Sequence, residues 1–259
     1  MAKRSLRWRE RVCVLEGPDL VRAAFECGVE VEAVYVDPSS IEHADVADIL
    51  RRSRERGIRS FGLEPATLAK VADAQTPQPV MATARFHAPV VTAIAPGRLT
   101  FVLHDLRDPG NVGTIIRSAH ATGASAVIMT GQSVDPFNPK TLRSTAGSIF
   151  SVAVSVADFS DTMAHFESRG ATTWATVVRG GTDLLACDLS GPSVVVIGNE
   201  AHGLDVTAVE RCSARLSIAM EDSIESLNAG VAASLIAFVS RWQAGGNAPG
   251  VIRSSLGGV

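Results

Sequence analysis

Polar residues that could do chemistry occur in three stretches, of which the first follows an apolar, strand-like run and the other two begin with one. These are residues 108–123, 194–204 and 218–233. In each, a turn rich in Gly, Asn or Ser follows the apolar run, and in the first stretch apolar residues then recur at helical spacing. A strand, a loop and a helix in this order put the loop at the carboxyl end of the strand, where open α/β sheets bind ligands. We therefore expect the three loops to form one site.

The first stretch offers an amide and a guanidinium. Arg117 lies six residues after Asn111, and its guanidinium presents a planar set of donors to a phosphate or a developing oxyanion. We expect Arg117 to lie about one turn into the helix and to point back over the loop. A solvated surface arginine is the alternative. Because a guanidinium stays protonated up to about pH 12, phosphate binding and oxyanion stabilisation are more plausible roles for it than proton abstraction.

The second and third stretches add a carboxylate, a hydroxyl and a second amide. Glu200 follows the most apolar strand, where an unpaired carboxylate is costly, so we expect Arg117, Asn111 or a neighbouring backbone to hold it. Capping of the next helix is the alternative role for Glu200. Ser226 and Asn228 stand at the start of the last predicted helix, where either side chain would also serve as an N-cap.

Together the three stretches resemble the motifs of the SpoU/TrmH branch of the SPOUT RNA methyltransferases. The family patterns are Asn-x-Gly-x-x-x-Arg-x-Ala, Gly-x-Glu-x-x-Gly and Ser-Leu-Asn. The matching residues are Asn111, Gly113, Arg117 and Ala119, then Gly198, Glu200 and Gly203, then Ser226, Leu227 and Asn228. Because all three motifs occur in the family's order and at similar spacing, the resemblance is specific.

The resemblance implies that a ribose 2′-hydroxyl of RNA attacks the methyl group of S-adenosylmethionine. The implied catalytic residues are Asn111, Arg117, Glu200, Ser226 and Asn228. The implied cofactor-binding residues, several of which act through their backbone, are Ile197, Gly198, Ile218, Leu227 and Asn228. Arg143 lies in a further stretch that matches the family less specifically, and we expect it to contact RNA.

The resemblance also implies an oligomeric state and an unusual chain path. Family members form homodimers, so the apolar face of the last helix is expected to pair with a second copy. The residues of this face are Val231, Leu235, Phe238 and Val239. The family's catalytic domain ends in a trefoil knot, which would involve residues 218–228. Knots are very rare among protein folds, and no compositional pattern indicates one.

Alternating strands and helices are expected to position these loops. From residue 99 onward the pattern predicts an α/β domain with a parallel sheet buried between helices. Residues 1–90 predict a smaller α/β unit that resembles the ribosomal-protein-like substrate-binding domain of many rRNA-modifying SpoU proteins. We therefore predict an RNA-binding domain at 1–90, a linker at 91–98, a methyltransferase domain at 99–244 and a flexible tail at 245–259.

The composition is that of an ordinary globular protein. The chain has 259 residues, of which 46% are hydrophobic and 20% charged. No apolar run approaches the roughly 18 residues of a membrane helix, and the first residues lack the apolar core of a signal peptide, so we expect a cytoplasmic protein without membrane attachment. The four cysteines and six histidines show no ligand spacing, which predicts no metal site and no disulfide.

The net charge of −3 is not the usual mark of an RNA-binding protein, but basic residues are clustered near the amino terminus. The two clusters are Lys3, Arg4, Arg7, Arg9 and Arg11, then Arg51, Arg52, Arg54, Arg56 and Arg59. Clustered charge attracts a phosphate backbone even when the total charge does not. We therefore predict RNA contacts at Arg51, Arg52 and Arg54, with a solvated helix face as the alternative.

Motifs that would indicate two other classes of enzyme are absent. The chain lacks the Gly-x-Gly-x-x-Gly of a nicotinamide-dependent reductase and the Gly-x-Ser-x-Gly of a hydrolase. A tRNA 2′-O-methyltransferase and a catalytically silent RNA-binding or ribosome-assembly protein stay open. The intact polar residues favour an enzyme, and by analogy the additional amino-terminal domain favours large-subunit (23S) rRNA as the substrate.

Overall fold

The computed structural model describes residues 3–71 and 78–245. The amino-terminal part contains a four-stranded sheet of β1 (Val12–Glu16), β2 (Val31–Val36), β3 (Arg59–Gly62) and β4 (Val80–Arg85). The strand order is β1-β4-β2-β3; β4 is antiparallel to β1 and β2, whereas β2 and β3 are parallel. Its helices are α1 (Arg4–Glu10), α2 (Pro18–Glu26), α3 (Ala44–Glu55) and α4 (Pro65–Val71).

The carboxy-terminal part contains a seven-stranded sheet in which every pairing is parallel. Its strands are β5 (Leu99–His104), β6 (Ala126–Thr130), β7 (Ala153–Val156), β8 (Thr172–Thr176), β9 (Thr182–Asp183), β10 (Ser193–Ile197) and β11 (Ala214–Ser217). The helices are α5 (Pro109–Thr122), α6 (Pro139–Thr145), α7 (Phe159–Glu167), α8 (Val206–Glu210) and α9 (Ala229–Gln243). The strand order is β7-β6-β5-β10-β8-β11-β9. The predicted parallel α/β sheet is confirmed.

Helix α5 begins at Pro109, earlier than the apolar spacing from Val112 suggested. The Asp108 side chain accepts a hydrogen bond from the Asn111 amide at 2.7 Å. Proline at the first helical position already has a helical φ. The sequence Asp-Pro-Gly-Asn is therefore a capped first turn rather than a loop, and Arg117 lies about two turns into the helix instead of one.

The basic amino terminus forms α1, a helix that was not predicted. Arg7 is buried, and its Nη2 atom lies 2.6 Å from Oδ2 of Asp135. The Trp8 indole donates a hydrogen bond to the same carboxylate at 3.2 Å, and its ring packs edge-on against Phe86 and Phe137. Arg7 is thus not part of an exposed basic surface. Its partner is 128 residues away along the chain, so counting charges within a short window does not reveal the pair.

The segment predicted as a linker packs against the second sheet. Val91 and Ile94 are buried in an apolar cluster that includes residues of β5, β6 and β10. His165 hydrogen-bonds through Nε2 to the Ile94 carbonyl at 2.9 Å, and Ser155 donates to the Pro89 carbonyl at 2.6 Å. These contacts hold the segment against the sheet. If the segment moved away, its two backbone carbonyls would lose these hydrogen bonds.

Three expectations from composition concern the chain as a whole. The four cysteines are free; Cys13 and Cys187 are buried, Cys212 is partly buried and Cys27 is exposed. In the described part of the chain, no helix has the length and apolarity needed to cross a membrane. Of the predicted tail, residues 246–259 lie outside the described residues.

Candidate active site

A pocket of about 550 Å³ opens at the carboxyl ends of β8, β10 and β11. Its lining includes every residue predicted to bind the cofactor, which are Ile197, Gly198, Ile218, Leu227 and Asn228. Two residues of the predicted catalytic set, Glu200 and Ser226, line it as well. The second and third stretches therefore meet at one concave site, as parallel strands require of loops at the same edge.

The turn after β10 is closed too tightly for a side chain at Gly198. A Cβ atom there would collide with the backbone of Gly203 and Leu204. The Asn199 amide donates to the Gly203 carbonyl at 3.0 Å, and the Gly203 amide donates back to Asn199 at 2.9 Å. Backbone groups of this turn thus lie directly at the pocket wall, where a flat ligand could approach them.

Glu200 joins the second stretch to the first. Its Oε1 atom accepts hydrogen bonds from the Asp108 amide at 3.0 Å and from the Asn111 side chain at 3.2 Å. Its Oε2 atom accepts one from the Arg107 amide at 3.4 Å. Partial burial raises the pKa of Glu200, but the hydrogen bonds outweigh this effect and hold the pKa below its ordinary value. Glu200 is an ionised carboxylate that fixes the start of α5.

The hydrogen bonds of Glu200 can be compared with the partners predicted for it. The carboxylate binds Asn111 and a neighbouring backbone, two of the three expected partners, and does not bind Arg117. It does not cap the next helix either. Asp205 caps α8, since its side chain accepts from the Ala208 amide at 2.7 Å.

Asn228 caps a helix and also contacts the first stretch. Its Oδ1 atom accepts from the Val231 amide at 3.2 Å and so caps α9. Its Nδ2 atom donates to Oδ1 of Asn111 at 2.8 Å. Ser226, the other candidate cap, lines the pocket and makes no hydrogen bond to another described residue.

Arg117 lies outside the pocket. The sheet-facing residues of α5 include Val112, Ile115 and Ile116, which are fully buried, whereas Arg117 is exposed. It makes neither a hydrogen bond nor an ion pair within residues 3–71 and 78–245. Arg117 is not among the residues that line the pocket, and the placement of its side chain over the loop stays a prediction.

Asn199 is a positioning residue that sequence reasoning missed. Its Nδ2 atom donates to the Asp105 carbonyl at 3.0 Å, and its Oδ1 atom accepts from the Ala201 amide at 2.9 Å. Asp105 has a φ of 57°, which is unusual for a residue other than glycine. The available signal was an asparagine inside a glycine-flanked turn, where its side chain often bonds nearby backbone.

The pocket also takes in residues that no motif marked. They include Thr176, Val177 and Val178 after β8, and His202 and Met220 in the two loops. The segment after β8 reaches the site because β8 lies beside β10. Strand order is not written in local sequence patterns, so this contribution was not foreseen.

Two of the arginines predicted to bind RNA already have acidic partners. Arg51 contacts Asp48 and Glu55, each at 2.6 Å, and Arg52 contacts Asp48 at 2.8 Å. Arg54 is exposed and forms no ion pair with a described residue. Charge on this face of α3 is therefore partly balanced, because Asp48, one turn earlier on α3, faces the same arginines.

Arg143 is half-buried and bonds Glu16, a buried residue of β1. This contact connects α6 of the second sheet to the first sheet. RNA contact by Arg143 stays a prediction. Across the described ranges, 3–71 and 78–245, no three His, Cys, Asp or Glu side chains are grouped to hold a metal ion.

A parallel sheet with a pocket formed by loops at its strand ends, next to a network of carboxylate and amide groups, defines an α/β enzyme with a nucleoside-sized ligand site. The family model for the SpoU rRNA Methylase family matches residues 98–238. The chain belongs to this family. The model for an MRM3-like substrate binding domain matches residues 1–82.

Curated relatives and solved structures resemble the chain over most of its length. The 23S rRNA (guanosine(2553)-2′-O)-methyltransferase RlmP of Bacillus subtilis is 28% identical, over 90% of this chain and 89% of its own. The 23S rRNA (uridine(2479)-2′-O)-methyltransferase of Streptomyces viridochromogenes is 32% identical, over 92% and 85% respectively. The structure of the SpoU methyltransferase AviRb from the same species, in complex with AdoMet, superimposes with a TM-score of 0.83 at 28% identity and covers 93% of each chain.

Proposed function

We propose that this protein transfers a methyl group from S-adenosylmethionine to a ribose 2′-hydroxyl of 23S rRNA. The observation that carries this proposal is the hydrogen-bonded network of Asn228, Asn111 and Glu200 beside the pocket. It is supported by relatives that are named for 23S rRNA and that span both the pocket and the amino-terminal sheet. The cytoplasmic location expected from the sequence is part of the same proposal.

The pocket has the size and character that S-adenosylmethionine requires. Its volume of about 550 Å³ falls in the range of small-molecule sites. Ile197, Ile218 and Leu227 would provide apolar contact for the adenine, and the tight turn from Gly198 would provide backbone donors and acceptors. When bound, the cofactor supplies an electrophilic methyl group on its sulfonium.

The side chains around the pocket divide the remaining tasks. Both oxygens of Glu200 already accept hydrogen bonds, and its low pKa makes it a poor base, so it positions Asn111 and the start of α5. Asn228 aligns α9 with this network. Arg117 would bind the phosphate of the substrate nucleotide and stabilise the developing alkoxide, since its guanidinium has no hydrogen bond or ion pair among the described residues.

The homodimer is part of this proposal. Val231, Leu235 and Phe238 form a stripe on α9 with exposed fractions of 47%, 43% and 40%, whereas Val239 belongs to the core. A run of apolar residues at positions i, i+4 and i+7 is typical of a helix face that packs on a partner. Because α5 packs against α9 through Ser118 and other residues, pairing through this stripe would bring Arg117 near the partner subunit.

The knot and the domain division are further elements of the proposal. Strand β11 lies between β8 and β9, which follow one another in the chain. Gly181 lies so close to the backbone of Leu216 and Ser217 that a Cβ atom would come within 2.8 Å of both. Insertion of a late strand between two earlier neighbours supports a threaded chain path.

The test is methyl transfer from labelled S-adenosylmethionine to purified 23S rRNA, 16S rRNA and tRNA, with 2′-O-methylation mapped on the products. We expect one modified position in 23S rRNA. Transfer to tRNA alone would support the tRNA alternative. Binding of S-adenosylmethionine and RNA without transfer to any of the three would support a silent RNA-binding protein.

A further inference from the structure

Two aromatic side chains stack at the edge of the amino-terminal sheet. Tyr35 of β2 and Phe61 of β3 are partners in the strand register. Their ring centroids are 5.7 Å apart and their planes differ by 21°. Val34 and Val36, which alternate with Tyr35, belong to the apolar core with residues of α2 and α3, so the two rings lie on the face opposite these helices.

The edge position leaves the pair accessible. In the described part of the sheet, β3 pairs only with β2, and all four of its residues are exposed. The Phe61 side chain is 43% exposed. An aromatic ring in this position contributes little to the core, and a stacked pair of rings offers a flat apolar surface to a ligand.

A cation lies beside the rings. Arg59 is two residues before Phe61 on the same strand, and its guanidinium carbon is 5.9 Å from the Phe61 centroid. Arg59 forms no ion pair with a described residue, whereas Arg51 and Arg52 on α3 are paired with Asp48. Among the described residues, the Arg59 guanidinium thus lies over the Phe61 ring and has no anionic partner.

Flat rings next to an unpaired cation suit one kind of ligand. Unpaired nucleotides stack their bases on aromatic side chains, and their phosphates bind arginine. Double-stranded RNA does not present its base faces. Surfaces that bind single-stranded nucleic acid combine aromatic side chains that stack on bases with basic side chains that bind the backbone.

We propose that Tyr35, Phe61 and Arg59 form a stacking surface for an unpaired nucleotide of the substrate RNA. This inference rests on the proposed function, because it assumes that RNA is the substrate. Phe61 and Tyr35 contact the base, and Arg59 contacts the adjoining phosphate. The surface belongs to the part of the chain that matches a substrate binding domain model.

Tyr35 provides a direct probe, since it is the single tyrosine of the chain. Full-length protein labelled with 3-fluorotyrosine gives one fluorine NMR resonance from this side chain. We expect a single-stranded RNA of about ten nucleotides to shift this resonance. The same sequence in a duplex should leave the resonance in place at equal concentration.

Variants separate stacking from charge. Phe61→Leu keeps an apolar side chain but removes the ring, and should weaken single-strand binding by about 5- to 100-fold, the usual cost of one lost base–aromatic stack. Phe61→Trp should retain binding. Arg59→Gln should weaken binding and reduce the salt dependence by about one phosphate contact. The matched controls are Ile41→Ala, a similarly exposed apolar residue, and Arg22→Gln, an arginine that is ion-paired with Asp19 and Asp45.

The outcomes distinguish this inference from the proposed function. If the wild-type protein methylates rRNA while the Tyr35 resonance does not move and Phe61→Leu binds normally, the stacking surface is wrong and the function stands. If the wild-type protein neither binds nor methylates any RNA, the proposed function fails first. A resonance that shifts with protein concentration in the absence of RNA would overturn the inference and assign the surface to self-association.

Discussion

The side-chain amide of Asn228 donates a hydrogen bond to the side-chain oxygen of Asn111 at 2.8 Å, across 117 positions of sequence. Asn111 in turn donates to Glu200 at 3.2 Å. One residue from each of the three sequence stretches therefore takes part in a continuous hydrogen-bonded chain. A change at any of these three residues should affect the other two, because side chains that share hydrogen bonds do not act independently.

Replacing Asn228 by Asp should separate the capping role from the network role. The carboxylate still accepts from the Val231 amide, but it cannot donate to Asn111 and faces its oxygen instead. We expect methyl transfer to fall by at least about 10-fold, with the free energy of unfolding changed by less than about 1 kcal/mol. The control is Asn138→Asp, at the N-cap of α6. Equal activities of the two variants would mean that the hydrogen bond from Asn228 to Asn111 does not contribute to methyl transfer.

Arg117→Lys should reduce turnover without affecting the cofactor. The charge survives, but the planar fork becomes a single hydrated ammonium group, and loss of one well-placed donor costs about 10²–10³ in rate. Because Arg117 does not line the pocket, the variant protein should bind S-adenosylmethionine with an unchanged dissociation constant in calorimetry. Arg241→Lys, an exposed change on α9, is the control. A near wild-type single-turnover rate for Arg117→Lys would mean that Arg117 contributes only a general positive potential.

The stabilisation from Glu200 should depend on pH. Its pKa in the folded protein lies below the ordinary value of 4.5, so the charged form contributes stability above that value. This contribution is lost as the pH falls through the lower, folded-state pKa. In urea unfolding, the difference between wild type and Glu200→Gln should be largest near about pH 6–7 and should shrink below about pH 4.5. A difference that does not vary with pH would contradict the ionised state of Glu200.

Leu235→Glu should produce a monomer. A carboxylate in the centre of the exposed stripe on α9 would be desolvated on pairing, which is costly unless a cation meets it. Light scattering should give a dimer mass for wild type and a monomer mass for the variant at micromolar concentration. Ile41→Glu, at a similarly exposed apolar position, should remain dimeric. A monomeric wild-type protein would refute the expected homodimer.

Asp135→Ala should destabilise the folded protein far more than a surface change. It removes the hydrogen bonds from Arg7 and Trp8 at a buried site, and breaking a buried ion pair typically costs about 3–5 kcal/mol. The comparison is Asp222→Ala, which removes an exposed partner of Arg179 and should cost less than about 1 kcal/mol. Urea unfolding measures both. Similar losses for the two variants would mean that the buried pair contributes little net stability.

Local patterns predicted the parallel α/β sheet and residues that line the pocket, but not α1 or the start of α5. The motif around Gly198 and the Ser-Leu-Asn motif at Leu227 line the pocket as predicted. Gly198 directly follows β10 and Leu227 lies in the loop after β11, and the carboxyl ends of parallel strands share one edge of the sheet. The sequence also predicts helices at 65–71 and 139–145, and α4 and α6 have these bounds. These features depend on residues that are close in sequence, where apolar periodicity and capping act directly.

Tertiary structure alone decided which of these residues touch. Asn111 binds Glu200 and Asn228. Arg117 is exposed to solvent and Arg7 is buried against Asp135, although both arginines were predicted from the sequence to be cations that could contact RNA. Such contacts depend on strand order and on the packing of helices, which set the distance between residues more than a hundred positions apart. A side chain's charge and hydrogen-bonding groups are set by its type, but its partners are set by the fold that surrounds it.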